Sequence, residues 1–429
     1  MAFAISIGFS GTKMQRSSVA NSRASSLRTR RLHAFAGFPL VGARASEFSG
    51  AHPLGRRQAL RSMGQRHGIQ GLQCRSAAII VNPPSGGHAS IGLYLARQLL
   101  SLDLEVYLLV AGQEDKYRSK QPNSALLGLR EAEPHAASFH ISFGDADDPS
   151  ILMNMVQTRR PSAGPIAAFI DNRSQTLDEA LLLHKFAMGL NAERYLYVSS
   201  CGIYEPGDYA PFIETDQVRQ SAGQAQVESR FLRDSVIPFA AFRPMYIIGK
   251  HAAKLDYTNF FLDRITRKRP IPLPGKGNAF VSLTHAEDVA SMLACAVLAR
   301  PDEVSGQVFN AVSPRYVTLK GLAEMCHRVV HGDKSKPEII YYDPVKLGID
   351  PKEATGLPFR VSYPFIADPG KAMRLLAWQP RHDRTLQNDL QEMYEEYLEL
   401  GLHERRVDLT NDDRIARSVG AAAKAAAAK

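Results

Sequence analysis

From Ala77 onward the chain repeats one pattern: a short apolar run, a turn, then a segment whose apolar residues recur at helical spacing. AAIIV at 77 to 81 leads through a Gly-bearing turn into IGLYLARQLL, and further apolar runs follow at EVYLLV, SFHISF, PIAAFIDN and RYLYVSS. A strand period of two that gives way repeatedly to a period of 3.6 leaves few architectures open. Successive parallel strands need helical crossovers, and right-handed crossovers cover both faces of the sheet. The expected fold class is therefore α/β, a Rossmann-type doubly wound parallel sheet with a smaller C-terminal lobe. IPFAAFRP, FVSL and VFNAV add later strands, and LQNDLQEMYEEYLEL carries an apolar seam at Leu386, Leu390, Met393, Tyr397 and Leu400 that is expected in the core.

The division expected from these patterns is a nucleotide-binding-type domain over 76–245 that regains 285–311. A smaller lobe takes 246–284 and 312–405, and a tail takes 406–429. The stretch AAAKAAAAK after Gly420 is low in complexity and reads as a frayed helical end.

Charge is informative only after it is divided along the chain. Residues 1 to 75 hold eleven arginines and one lysine against Glu47 alone, whereas the rest holds 40 basic and 42 acidic residues. The net charge of +9 therefore belongs to the leader, and bulk charge gives no support for nucleic-acid binding by the body. Rich in serine and Arg pairs and without a long apolar stretch, the leader has the composition of an organelle transit peptide, cleaved between about Ala45 and Ser76. A basic arm that binds nucleic acid is its alternative. No apolar run approaches the ~20 residues of a membrane-spanning helix. The four cysteines, Cys74, Cys201, Cys295 and Cys326, have neither disulfide-scaffold nor zinc-finger spacing.

The turn after the first strand, NPPSGGHASIG, sets Gly86, Ala89 and Gly92 at the spaced positions of a dinucleotide fingerprint, with Gly87 beside the first. Small residues there let a pyrophosphate approach a helix N-terminus. Two departures count against NAD(P): Pro83, Pro84 and Ser85 lengthen the turn, and the ribose-binding acid expected roughly 20 residues on is replaced by Val110-Ala111-Gly112. GlyAsp at 144 to 145, SSCGIY at 199 to 204, FRPMYIIG at 242 to 249 and SLTHAEDVA at 282 to 290 resemble the extended short-chain dehydrogenase/reductases in order and spacing. Ser200 stands where that family keeps its catalytic Ser or Thr. At its Tyr-x-x-x-Lys positions this chain has Gln220 and Gln224, and a glutamine delivers no proton at neutral pH.

Together VNPPSGGHASIG, FIDN, SSCGIY, FRPMYIIG, the FFLDRI to PIPLPGKG stretch and IIYYDP resemble the chloroplast stem-loop-binding proteins over about residues 77 to 410. These are atypical members of that superfamily, and the likeness is to their a-type branch. The resemblance implies an RNA-binding protein of the chloroplast stroma, acting on stem-loop mRNA or rRNA in transcript stability, processing or ribosome biogenesis. It further implies association with plastid ribosomes or nucleoids, oligomers with a homologous subunit, and a Mg²⁺-dependent endoribonuclease activity.

Two sites follow as expectations. In DRITRKRPIPLPGKG, Arg264, Arg267 and Lys268 fall at i, i+3 and i+4, so a helix would place three cations on one face, with Arg269 and Lys276 close by for phosphate contacts. Phe260 and Phe261 are stacking surfaces or, on the plainer reading, core. Asp145 and Asp171 each follow an apolar strand and would converge on the crevice at the carboxyl ends of the strands, where they would hold Mg²⁺ and serve as the catalytic groups. A carboxylate expected from the family pattern on the following helix aligns with Lys185, which weakens the nuclease reading. His88, His285 and His327 read as structural or surface residues. The rival functions are an NAD(P)-dependent epimerase or dehydratase, and a non-catalytic scaffold subunit of a large plastid complex.

Overall fold

The computed structural model describes residues 76–131, 137–159 and 165–427; the expected transit peptide lies outside the described residues. Seven strands, β1 (Ala77–Asn82), β2 (Glu105–Ala111), β3 (Phe139–Gly144), β4 (Ile166–Asp171), β5 (Tyr195–Val198), β6 (Phe239–Pro244) and β7 (Gln307–Ala311), form one parallel sheet. Their order is β7-β6-β5-β4-β1-β2-β3, so the winding direction reverses between β1 and β4. β1, β4, β5 and β6 are buried along their whole length, which is why they read as continuous apolar runs and not as alternations.

On one face lie α1 (Ala89–Ser101), α2 (Asn123–Glu131) and, from further along the chain, α7 (Ala286–Leu298), sharing a core with Trp378. The other face is covered by α3 (Pro149–Arg159), α4 (Leu177–Gly189) and α5 (Gly223–Asp234). The expected doubly wound sheet is what the chain forms. Local signals set the helix starts: Thr176 and Glu179 build a capping box at α4, and His285 Nδ1 accepts from Glu287 N at α7.

A separate apolar cluster joins α6 (Asp256–Thr266), α8 (Leu319–His331), α9 (Leu386–Glu399) and the paired short strands Ile271–Pro274 and Ile339–Tyr342. Phe260 and Phe261 are buried in it, so they belong to the core and offer no stacking surface. Leu390, Met393 and Tyr397 face this core as the seam required, whereas Leu400 lies beyond the last turn of α9 and is 48% exposed. Within the tail expected over 406–429, residues 410–427 form a helix, α10 (Thr410–Ala427), whose Ile415 is buried and whose Asp412 bonds Arg264 of α6.

Candidate functional site

At the switch point, the carboxyl end of β1 is closed by an amide clasp. Asn172 Nδ2 donates to Asn82 Oδ1 at 2.7 Å and to the His88 carbonyl at 2.9 Å, while Asn82 Nδ2 donates to the Ala89 carbonyl at 3.0 Å. Gly92 is required by this contact, because a Cβ there would come within 2.2 Å of Asn82 Oδ1. The third fingerprint position thus serves close packing of α1 on β1. Gly86, at φ +89°, and Gly87 border open space. His88 Nδ1 is shielded from solvent without a hydrogen-bond partner, and burial pushes the imidazole down to about 4.

The residues present fit only part of a dinucleotide. The backbone at Gly86 and Gly87 leaves room for phosphate, but β2 runs into Gly112, packed against Tyr117 and Pro84, with no carboxylate at the ribose position. Gln220 is exposed in the loop before α5, its amide bonded to the Val218 carbonyl, and Gln224 lies in the first turn of α5. Ser200 Oγ is used as a helix cap, accepting from Gly202 N at 2.9 Å. Neither glutamine can take the acid–base role that the tyrosine–lysine pair has in hydride chemistry.

Asp145 and Asp171 do not converge. They end β3 and β4, which are separated by β1 and β2, so three strand spacings, about 14 Å, divide their backbones. The two side chains also have different tasks. Exposed Asp145 accepts from Asp147 N, whereas Asp171 is fully buried and accepts from Arg173 N, Ser174 N and the Tyr195 hydroxyl. Desolvation raises the Asp171 carboxyl despite these donors. The alternation of strands in sequence conceals this spacing, since chain order is not sheet order.

Another set of acids does come together: His285, Asp389 and Glu392 place donor atoms within 4.8 Å of one another. Arg381 grips Asp389 through two bonds of 3.1 and 2.9 Å, and Arg384 holds Glu392 at 3.0 Å. Two guanidinium groups already neutralise these carboxylates, so the cluster is an ion-pair network.

The basic segment divides into two kinds of residue. Helix α6 ends at Thr266 in a Schellman motif, with Lys268 N donating to the Ile265 carbonyl and Arg269 N to that of Arg264. The helical face expected for Arg264, Arg267 and Lys268 is therefore broken. Arg264, 4% exposed, bonds Asp412 and the Phe260 and Thr355 carbonyls, and Arg267 bonds the carbonyls of Asp263, Leu402 and Arg405 and the Tyr397 hydroxyl. Both are structural ties, and neither is free for phosphate. Lys268, at φ +53°, and Lys276, in the turn between Gly275 and Gly277, are exposed, while Arg269 pairs with Asp413.

Lys268 and Arg269 line a cavity of about 190 Å³ with Ile265, Ile271, Pro337, Glu338, His327 and His331. The two imidazole centroids are 4.7 Å apart, one helical turn separating them on α8. Sequence reasoning set His327 aside and missed its partner, although the i, i+4 spacing was there to be read. Asn82, Asn172 and Asp412 were missed for want of any local signal, because their partners lie 90, 84 and 148 residues away.

These features define a class: a Rossmann-type protein of the extended dehydrogenase kind, with a Gly-bearing turn after β1 and glutamines at its tyrosine–lysine positions. The chain belongs to the NAD dependent epimerase/dehydratase family, whose pattern it matches over residues 85–311. Among curated proteins it is similar to chloroplast stem-loop binding protein of 41 kDa b of Arabidopsis thaliana, with 29% identity over 389 residues, 88% of this chain and 94% of that one. Among solved structures, an epimerase from Methanothermobacter thermautotrophicus covers 82% of this chain at TM-score 0.58 and 17% identity, with 98% of its own length matched. The dTDP-glucose 4,6-dehydratase of Bacillus anthracis, solved with NAD, covers 76% at TM-score 0.55 and 14% identity, with 97% of its own chain matched. Similarity at this level carries the fold alone. Among the described residues no helix is long and apolar enough to cross a membrane.

Proposed function

We propose that this protein binds structured RNA in the chloroplast stroma, retaining stem-loop mRNA or rRNA in transcript stability, processing or ribosome biogenesis. The observation that carries this reading is a match spanning 94% of a relative named for stem-loop binding. The replacement of the proton-relay pair by Gln220 and Gln224 supports it from the opposite direction, because it removes the competing oxidoreductase chemistry. Exposed Lys268 and Lys276, with Arg269, supply the phosphate contacts. Partnership with a homologous subunit on plastid ribosomes or nucleoids belongs to the same reading. Mg²⁺-dependent cleavage by paired Asp145 and Asp171 does not, given their separation.

The test is retention of a radiolabelled stem-loop RNA by the chain from Ser76 onward, in Mg²⁺ and in EDTA, with cleavage followed in the same samples. Salt-sensitive retention in both supports binding. No retention at any salt overturns it and leaves the scaffold reading. The open space beside Gly86 and Gly87 favours one second reading, residual NAD(P) binding, which thermal shift with NAD⁺ and NADP⁺ decides.

A further inference from the structure

The cavity between the end of α6 and the C-terminal half of α8 has the composition of a phosphate seat with an adjustable charge. Its floor is apolar, from Ile265, Ile271 and Pro337, and its polar rim carries Lys268, Arg269, Glu338 and the two adjacent histidines. A bare dication would meet the repulsion of Lys268 and Arg269, whereas an anion is drawn by both. The fixed charges nearly cancel, however. Arg269 is paired with Asp413 of α10, Glu338 opposes Lys268, and on α8 Arg328 is bonded to Asp333 of the following turn. The segment that follows α8 also carries Lys334 and Lys336, both exposed. The variable part of the field is the histidine pair, whose protonation adds to the positive charge of the rim.

Two further observations mark the place. Lys268 occupies the left-handed backbone region at the position where a Schellman motif favours glycine, so a costly residue is kept at the rim. Arg269 Nε is buried without a hydrogen-bond partner beside the cavity. The lowered proton affinity of His327, caused by burial and by the neighbouring His331, is what an anion beside the rings would reverse.

We infer that this pocket seats a phosphoryl group of the bound RNA through Lys268, Arg269, His327 and His331, and that protonation of the histidine pair strengthens the grip. The inference rests on the RNA-binding reading for the identity of the ligand and not for the existence of the site.

The experiment uses the chain from Ser76 onward, its His327→Gln/His331→Gln variant and Lys268→Gly. Imidazole resonances are followed through a pH titration with and without inorganic phosphate, and stem-loop RNA retention is measured at pH 6 and pH 8. The expected results are an upward shift of both histidine midpoints by phosphate, smaller in Lys268→Gly, and RNA binding about tenfold tighter at pH 6, one pKa unit of coupling. The glutamine variant should bind RNA more weakly at pH 6 and lose that pH dependence. Midpoints insensitive to phosphate, with RNA bound equally at both pH values, would overturn the pocket and leave the RNA reading standing. Phosphate-sensitive midpoints without any RNA retention would support the anion site and overturn the RNA reading instead.

Discussion

The Tyr195 hydroxyl donates a 2.7 Å hydrogen bond to Oδ2 of Asp171, and neither side chain reaches solvent. The bond joins β5 to the end of β4 beneath the crevice. It identifies Asp171 as an internal acceptor in the sheet edge and not as a ligand pointing outward.

Burial raises the folded-state pKa of Asp171. A group shifted this way contributes stability that is complete below its unfolded pKa and is lost as pH rises through the folded value. The expectation is that, as pH rises above about 4, wild-type protein loses stability that Asp171→Asn keeps, measured by urea unfolding across the range. Asp171→Ala, which leaves three donors without an acceptor, should cost about 1–3 kcal/mol. Equal pH dependence in wild type and Asp171→Asn would show that this carboxyl is not the titrating group.

Arg264 and Lys268, four residues apart, should respond in opposite senses. Arg264→Ala strands Asp412 in the interior and should destabilise by about 3–5 kcal/mol, with α10 loosening first in hydrogen exchange. Lys268→Gly relieves a left-handed residue and should raise stability by about 1 kcal/mol. RNA affinity should nevertheless fall in this more stable variant. A variant that gains stability and keeps its affinity would remove Lys268 from the interface.

Gly92→Ala places a methyl group against Asn82 Oδ1 and should cost about 1–3 kcal/mol. Truncating the obstruction in Gly92→Ala/Asn82→Ala should return part of that loss, giving a coupling energy between the two sites in a double-mutant cycle. Strict additivity would mean that the helix moves away instead.

Cys201, Cys295 and Cys326 are buried, and burial pushes the thiols of Cys201 and Cys326 far up, so thiolate is scarce at neutral pH. Native protein from Ser76 onward should react with none of its three thiols on the minute scale in an Ellman assay, and with all three in denaturant. Rapid native labelling at Cys201 would indicate an opening beneath the Ser200–Gly202 turn.

Much of the fold was legible because it is written in local periods: each apolar run became a strand of the sheet or of a satellite pair, and α1 and α9 sit where their apolar spacing placed them. The site was harder to read. Arg264, Arg267 and Lys268 have ideal helical spacing, but the helix ends at Thr266, and what ends it is a Schellman turn built on a lysine, which no glycine announces. Asp145 and Asp171 fail for a topological reason, since two earlier strands are inserted between theirs. Buried charge escapes a sequence-only reading altogether: Arg264 looks like any surface cation until Asp412, 148 residues later, is folded against it.

The amide clasp at the switch point bears on how the protein is maintained. Where a crevice is ordered by its ligand, the folded fraction rises and falls with ligand supply. Here Asn172 Nδ2 donates to both Asn82 Oδ1 and the His88 carbonyl across the same position, so these ties arrive with the chain itself. At this position the helix α1 is tied to the ends of β1 and β4 by contacts that the chain supplies from its own side chains and backbone.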